Sequence, residues 1–175
     1  MSAPDQLRAA IRDVPDFPKA GILFRDITPI LNDAALFRMA IAEFVGAARD
    51  AGAEKIAGID ARGFLFGATV AHELGLGFVP IRKKGKLPFR THAQAYDLEY
   101  GSSEIEVHTD AFATGERVAL IDDLLATGGT AGAAIRLIRS GGGVPVIAQF
   151  LIELADLGGR AALDGVPVET IISYP

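Results

Sequence analysis

One stretch decides the fold of this chain: Val118-Ala119-Leu120-Ile121-Asp122-Asp123-Leu124-Leu125-Ala126-Thr127-Gly128-Gly129-Thr130. Its apolar start, residues 118–121, predicts a strand buried in a sheet. Small residues follow and predict a tight loop, and an Ala-rich pattern from about Gly129 to Arg139 predicts a helix. Open α/β sheets bind ligands at the carboxyl ends of their strands, so this order of strand, loop and helix predicts a ligand site on the loop.

Outside this stretch the same alternation of strands and helices continues. Apolar residues at helical spacing predict an amphipathic helix between Asn32 and Gly52 and a second helix that begins near Phe64 and ends at Gly75. Further strands are expected in the apolar or alternating segments 56–59, 78–81, 105–107 and 144–152. We therefore expect an α/β fold, in which a mainly parallel twisted sheet is flanked by helices, in a single domain of residues 1–175.

Residues 87–103 follow neither the helical nor the strand period. The segment contains Pro88, two tyrosines and mixed charges, and it is predicted to be a long loop between strands. Long irregular loops are uncommon in compact domains and often act as lids. We therefore expect a lid at about residues 87–103.

Composition excludes several classes of protein. The chain has 175 residues, no cysteine and a formal net charge of -5, so Cys-ligated zinc, Fe–S clusters, thiol nucleophiles and broad binding to nucleic acid are not expected. No apolar run approaches the roughly 18 residues of a membrane-spanning helix, and the N-terminal residues do not resemble a signal peptide. The expectation is a cytoplasmic protein that binds neither membranes nor nucleic acid.

The chemistry of the deciding stretch favours a phosphorylated sugar. Asp122 and Asp123, the acidic pair, can accept hydrogen bonds from a diol. Residues 126–130, the glycine loop, combine small residues with two threonine hydroxyls at a predicted helix N-terminus, which favours an anion. Acidic pairs after a strand also occur in solvated turns and in phosphotransfer or metal sites. Neither the P-loop pattern nor the dinucleotide-binding pattern G-x-G-x-x-G is present in its required context.

The deciding stretch resembles the signature of the type I phosphoribosyltransferases. Additional segments narrow the resemblance, over nearly the whole chain, to the adenine-specific branch of that family: residues 16–29, 60–64, 80–88, 98–101 and 152–154. Two departures are visible, since Ala20 stands where proline is usual and residues 89–95 differ from the commoner form of their loop. The resemblance implies the type I fold with a small hood near residues 15–30 and 150–160 and a mobile lid.

The resemblance also implies a reaction. The 5-phosphoribosyl group of 5-phosphoribosyl 1-pyrophosphate would be transferred to adenine, giving AMP and pyrophosphate, a step of purine salvage. Mg²⁺ would be the cofactor, held mainly by the substrate rather than by the protein. A homodimer is implied as the assembly.

Residue roles implied by the resemblance fall into three groups. For 5-phosphoribosyl 1-pyrophosphate, the positions are Ala126, Thr127, Gly128, Gly129 and Thr130 at the 5′-phosphate, Asp122 and Asp123 at the ribose hydroxyls, and Arg62, Arg82 and Lys86 at the pyrophosphate, with Lys83 a further basic candidate. For adenine, they are Phe24, Arg25 and Leu154. Glu99 would act as the acid/base at the purine, Arg62 is also expected to contribute to catalysis, and Tyr100 would help to close the lid.

Two other functions remain open at this point. One is a phosphoribosyltransferase for a 6-oxopurine such as hypoxanthine or xanthine, against which the hood segment argues. The other is a non-catalytic regulator that senses 5-phosphoribosyl 1-pyrophosphate. Such a regulator would need an element that contacts nucleic acid, and the sequence shows neither an added helix-turn-helix pattern nor a basic surface signature.

Overall fold

The computed structural model describes residues 1–98 and 101–175. The chain divides into two compact units, Met1–Glu43 and Phe44–Pro175.

The first unit contains short helices and one hairpin. Its elements in chain order are α1 (Ala3–Ala10), β1 (Arg12–Pro15), β2 (Leu23–Asp26), α2 (Thr28–Asn32) and the first part of α3 (Ala34–Asp50), which continues into the second unit. Ser2 begins α1 with a capping box, because its hydroxyl accepts from the Asp5 backbone N–H while the Asp5 carboxylate accepts from the Ser2 backbone. Strands β1 and β2 pair antiparallel, with Val14 opposite Phe24.

The second unit contains one large sheet. Among the described residues it has seven strands: β3 (Lys55–Ile59), β4 (Gly77–Lys83), β5 (Thr91–Leu98), β6 (Gly101–His108), β7 (Arg117–Leu125), β8 (Val144–Leu154) and β9 (Val168–Tyr174). Their order across the sheet is β5-β6-β4-β3-β7-β8-β9. The strands β4, β3, β7, β8 and β9 run parallel, whereas β6 pairs antiparallel with both β4 and β5.

Helices connect the parallel strands and enclose the core. Helix α4 (Arg62–Leu74) lies between β3 and β4 in sequence, and α5 (Gly129–Ser140) lies between β7 and β8. The α5 side of the core includes Leu120, Ile135 and Phe150, all fully buried. Phe44 and Phe66 are also buried, with ring centroids 5.4 Å apart. The expected α/β fold, with a mainly parallel sheet flanked by helices, is confirmed.

The expectation of a long irregular loop at residues 87–103 was wrong for most of that segment. Residues 91–98 form β5 and pair with β6, with Thr91 opposite His108 and Tyr96 opposite Ser103. The sequence did not predict this strand because its side chains from Thr91 to Asp97 show no apolar alternation. Strand β5 is at the edge of the sheet, and these side chains are exposed or only half-buried.

The carboxyl end of β7 also differs from the sequence prediction. The strand was expected to end before the acidic pair, but it continues to Leu125. The continuation is stabilised by pairing with β8, where Asp122 lies opposite Phe150 and Leu124 opposite Ile152. The acidic pair therefore sits on the sheet itself, on a rigid strand rather than in a loop.

Within residues 1–98 and 101–175, every helix is too short or too polar to cross a lipid bilayer.

Candidate active site

A cleft of about 200 Å³ lies at the carboxyl end of β7. It unites three groups of residues that the sequence singled out separately. Its lining consists of Arg62, Asp122, Asp123, Leu124, Leu125, Ala126, Thr127, Gly128, Gly129, Thr130 and Ala131. The cleft thus combines a cation, two carboxylates and a helix N-terminus, which is a set that suits an anionic ligand with hydroxyl groups.

Two neighbouring glycines of the glycine loop have different roles. Gly128 has φ +83° and precedes the first residue of α5, so an L side chain would be strained there. A Cβ atom at Gly128 would also lie 2.3 Å from the Gly159 carbonyl oxygen, far inside contact distance. At Gly129, in contrast, a Cβ atom would lie 3.4 Å from the Asp97 carbonyl oxygen, an ordinary contact. Gly128 is therefore required by the fold, while Gly129 leaves space within the cleft.

The acidic pair is fixed by a salt bridge and by close packing. The Arg62 guanidinium Nε donates to Asp123 Oδ2, and Asp123 is buried with 7% of its surface exposed. The Asp123 backbone N–H donates to Asp122 Oδ1 at 2.8 Å. A Cβ atom at Gly63, in the first turn of α4, would lie 2.9 Å from that same Asp122 oxygen. The Asp122 carboxylate therefore packs tightly between β7 and α4, although the residue as a whole is only half-buried.

The pKa of Asp122 differs from that of an ordinary aspartate. Burial of the carboxylate, followed by the neighbouring charge of Asp123, raises the pKa of Asp122 well above its usual value. The Arg62 guanidinium opposes this shift but does not cancel it. For Arg62 itself, burial lowers the pKa, but the charge of Asp123 and its hydrogen bond outweigh burial, so the net pKa is raised and Arg62 remains a cation. Asp122 therefore holds a proton more readily than an ordinary aspartate does, even with the Arg62 cation in the same cleft.

A second cationic segment, the basic turn of residues 82–88, lies near the end of β4. Arg82 Nε donates to Asp60 Oδ2 at 2.9 Å, and Arg82 Nη1 donates to the Lys86 carbonyl oxygen at 3.2 Å. Asp60 stands two residues before Arg62, so these contacts tie the basic turn to the segment that leads into α4. Lys83 and Lys86 are exposed. Arg82 and Lys86 are both described by the structure, and neither of them lines the cleft.

Glu106 is buried, with 4% of its surface exposed, and its carboxylate holds the backbone of the basic turn in place. Its Oε1 accepts the backbone N–H groups of Gly85 and Leu87 at 3.0 and 3.1 Å, and its Oε2 accepts the Thr91 hydroxyl at 3.2 Å. Sequence reasoning missed this role because Glu106 falls between Ile105 and Val107 in an alternating strand, where a charged residue is expected to face solvent. It also missed Gly63 and Asp60, whose contacts depend on neighbouring strands.

The residues expected at the adenine base lie in different units. Phe24 and Arg25 belong to β2 of the first unit; the Phe24 ring packs edge-on against Phe17 at 5.1 Å, and Arg25 Nη1 bonds Asp13 Oδ1. Leu154 is the last residue of β8 in the second unit. Glu99 and Tyr100, predicted as the acid/base and as a residue of the lid, lie outside the described residues.

A metal site of the protein's own would need several ligating side chains close together. In the described part of the chain, no three histidine, aspartate or glutamate side chains approach one another closely enough to form a metal site. The cleft is lined by the two carboxylates of the acidic pair, of which Asp123 already accepts a hydrogen bond from Arg62.

Comparisons with known proteins give one consistent result. A model of the phosphoribosyl transferase domain matches residues 30–164. The adenine phosphoribosyltransferase of Chelativorans sp. (strain BNC1) is 57% identical over 175 residues, which cover 99% of this chain and 97% of that relative.

Solved structures agree in fold as well as in sequence. The adenine phosphoribosyltransferase of Thermoanaerobacter pseudethanolicus has a TM-score of 0.95 and 47% identity, covering 98% of this chain and 99% of its own. The enzyme of the same name from Saccharomyces cerevisiae, solved with an imino-altritol bisphosphate and adenine, has a TM-score of 0.93 and 39% identity, covering 97% of this chain and 98% of its own.

Proposed function

We infer the function of this chain from its family, since it belongs to the adenine phosphoribosyltransferases, a group within the phosphoribosyl transferase family. It is an enzyme that transfers the 5-phosphoribosyl group of 5-phosphoribosyl 1-pyrophosphate to adenine, giving AMP and pyrophosphate. The family expected from the sequence motifs is thereby confirmed. The observation that carries the assignment of the site is the cleft in which Arg62, the acidic pair and the glycine loop come together.

In our proposal, the glycine loop holds the 5′-phosphate. The loop leads into the N-terminus of α5, a helix of 12 residues, where the helix dipole and backbone N–H groups favour an anion. The space at Gly129 lets a phosphate approach the backbone closely, and the hydroxyls of Thr127 and Thr130 add donors. These properties are what a phosphate monoester requires.

The acidic pair is proposed to hold the ribose hydroxyls. Asp122 and Asp123 stand on a sheet strand, so the sugar would be held by a rigid element, which lowers the entropic part of the barrier. As the bond to pyrophosphate breaks, positive charge develops on the sugar and negative charge on the leaving group. Arg62, in the same cleft, would stabilise the departing pyrophosphate, with Arg82 and Lys86 of the basic turn as further cations.

Adenine binding is proposed for Phe24, Arg25 and Leu154, with Phe24 stacking on the purine ring. Glu99 is proposed as the acid/base at the purine and Tyr100 as a residue of the lid. Both roles are proposed from the family to which the chain belongs.

Magnesium is the cofactor in this proposal. Its preferred ligands are oxygens, and the acidic pair supplies carboxylate oxygens beside the proposed ribose hydroxyls. Because Asp123 is already engaged by Arg62, most of the ligands would come from the pyrophosphate, the ribose hydroxyls and water. When bound, Mg²⁺ supplies neutralisation of the pyrophosphate charge. A homodimer in the cytoplasm is proposed as the working form, and sedimentation analysis tests the dimer.

The experiment that tests the function compares bases. Adenine presents a donor at N6 and an acceptor at N1, whereas hypoxanthine presents an acceptor at O6 and a donor at N1. A site built on such hydrogen bonds can discriminate by about 10⁴-fold, so we expect kcat/KM for adenine to exceed that for hypoxanthine and guanine by that order. Equal rates with hypoxanthine would favour a 6-oxopurine enzyme. Tight binding of 5-phosphoribosyl 1-pyrophosphate with no turnover of any purine would favour a regulator.

A further inference from the structure

A short segment after β8 lies directly behind the glycine loop. This segment, residues 158–163, is called here the backing turn; most of it is a 3₁₀ helix, Gly159–Leu163. A Cβ atom at Gly159 would lie 2.3 Å from the Ala126 carbonyl oxygen and 2.9 Å from Leu125 Cδ1. In the reverse direction, a Cβ atom at Gly128 would lie 2.3 Å from the Gly159 carbonyl oxygen. The two backbones therefore touch with no side chain between them.

The contact extends along the first turn of α5. A Cβ atom at Gly132 would lie 2.5 Å from the Ala162 carbonyl oxygen, and one at Gly128 would lie 2.8 Å from the Ala162 Cβ. Unlike Gly128, neither Gly132 nor Gly159 has a backbone conformation that calls for glycine. Their small size is therefore explained by the close approach between the backing turn and the loop–helix junction.

An ion pair between the exposed Arg160 and the buried Glu153 anchors the backing turn. Arg160 Nε donates to Glu153 Oε1 at 2.7 Å and Arg160 Nη2 donates to Glu153 Oε2 at 2.8 Å, a two-pronged geometry that is both strong and directional. Arg160 Nη1 also donates to the Val168 carbonyl oxygen at 3.1 Å, and the Thr170 hydroxyl donates to Glu153 Oε2 at 3.1 Å. The anchor thus joins the backing turn to both β8 and β9.

The anchor is attached to the strand that leads into the glycine loop. Glu153, with 6% of its surface exposed, lies opposite Leu125 in the pairing of β8 with β7. Leu125 is the last residue of β7, immediately before Ala126. The backbone of the glycine loop is therefore held in place in two ways, by the pairing of β7 with β8 and by contact with the backing turn.

We propose that Glu153, Arg160 and Gly159 are positioning residues for the 5′-phosphate, which act by holding the backing turn against the glycine loop. The inference rests on the proposed function of that loop. A phosphate is bound in the substrate, in the transition state and in AMP alike, so loss of its positioning weakens binding of all three equally. The expected signature is a higher KM for 5-phosphoribosyl 1-pyrophosphate with kcat nearly unchanged.

The test measures dissociation constants of AMP and of adenosine, which lacks the phosphate, on the full chain. In Arg160→Gln we expect AMP to bind at least about tenfold more weakly and adenosine to bind within about twofold of wild type. Arg160→Lys keeps the charge but loses the two-pronged geometry, so an intermediate loss is expected. Lys55→Gln is the control, because it breaks an ion pair with Glu116 at the amino end of β3, away from the backing turn and the cleft, and should change neither constant.

The outcomes separate the inference from the function on which it rests. Gly129→Ala is measured in parallel as a direct perturbation of the loop. If Gly129→Ala loses AMP affinity while folded Arg160→Gln keeps it, the positioning role is refuted and the loop assignment stands. If both keep it, the loop assignment itself fails. Equal losses for AMP and adenosine in Arg160→Gln would mean general loosening and would also refute the inference. Should Arg160→Gln not fold, Arg160→Lys and Thr170→Val decide the same comparison.

Discussion

The substitution Gly129→Ala should weaken binding of 5-phosphoribosyl 1-pyrophosphate without destabilising the fold. Gly129 is the first residue of α5 and has no left-handed backbone conformation. An alanine Cβ there would meet the Asp97 carbonyl oxygen at 3.4 Å and the Tyr96 ring at 3.5 Å, both ordinary contacts. Because alanine is favoured over glycine in helices by about 0.5–1 kcal/mol, we expect Gly129→Ala to be as stable as wild type or slightly more stable.

Binding should respond in the opposite direction. The methyl group occupies space beside the backbone of the glycine loop, which lines the cleft and where the phosphate is proposed to bind. Loss of one hydrogen bond to a charged group costs about 1.5–3 kcal/mol, which corresponds to roughly 10- to 150-fold in affinity for 5-phosphoribosyl 1-pyrophosphate. Calorimetric titration measures the affinity, and thermal unfolding followed by circular dichroism measures the stability.

Gly128→Ala is the matched control. Its Cβ atom would have to sit 2.3 Å from the Gly159 carbonyl oxygen on a backbone with φ +83°, so this variant should lose stability by more than about 2 kcal/mol. The two neighbouring substitutions are therefore expected to fail in different assays. A folded Gly129→Ala that binds 5-phosphoribosyl 1-pyrophosphate with wild-type affinity would refute the assignment of the phosphate to this loop.

Three further predictions concern protons and metal. Glu99→Gln should lower kcat by about 10²- to 10⁴-fold with little change in affinity for 5-phosphoribosyl 1-pyrophosphate, and unchanged kcat with chemistry rate-limiting would remove Glu99 from the mechanism. For Asp122, the raised pKa means that the folded state holds a proton that the unfolded state releases, so stability falls as pH rises from about 3.8, the ordinary value, through the raised pKa. Asp122→Asn should therefore gain stability relative to wild type with increasing pH in urea titrations while binding the ribose less well; a pH-independent difference would contradict the burial argument. Chelation of Mg²⁺ by EDTA should abolish AMP formation in a coupled assay, and addition of excess Mg²⁺ should restore it; full activity in EDTA would exclude the metal.

The parts of the fold that sequence could predict are those with local causes. The apolar run at residues 118–121 and the spacing of apolar residues in α3 each determine their element without help from distant residues. Strand β5 could not be predicted in this way, because its pairing with β6 stabilises it while its own side chains carry no apolar alternation.

The candidate site shows the same division. Arg62, the acidic pair and the glycine loop could be identified because each is marked by its own motif, and the structure brings them into one cleft. The contacts that support them arise between segments far apart in sequence, as between Gly159 and Ala126 or between Glu106 and Gly85. No local pattern distinguishes such a glycine or such a glutamate from one in an exposed position.

Glu106 also has a thermodynamic consequence for substrate capture. A turn rich in lysine and arginine would ordinarily fluctuate, because its positive charges repel one another, and ordering it costs about 1–2 kcal/mol for each residue whose backbone becomes fixed. The two N–H bonds from Gly85 and Leu87 to the buried carboxylate fix this backbone during folding, before any anion arrives. The entropy of the basic turn is thus lost once, when the chain folds, and the pyrophosphate that is proposed to bind there would meet cations on a backbone that is already ordered.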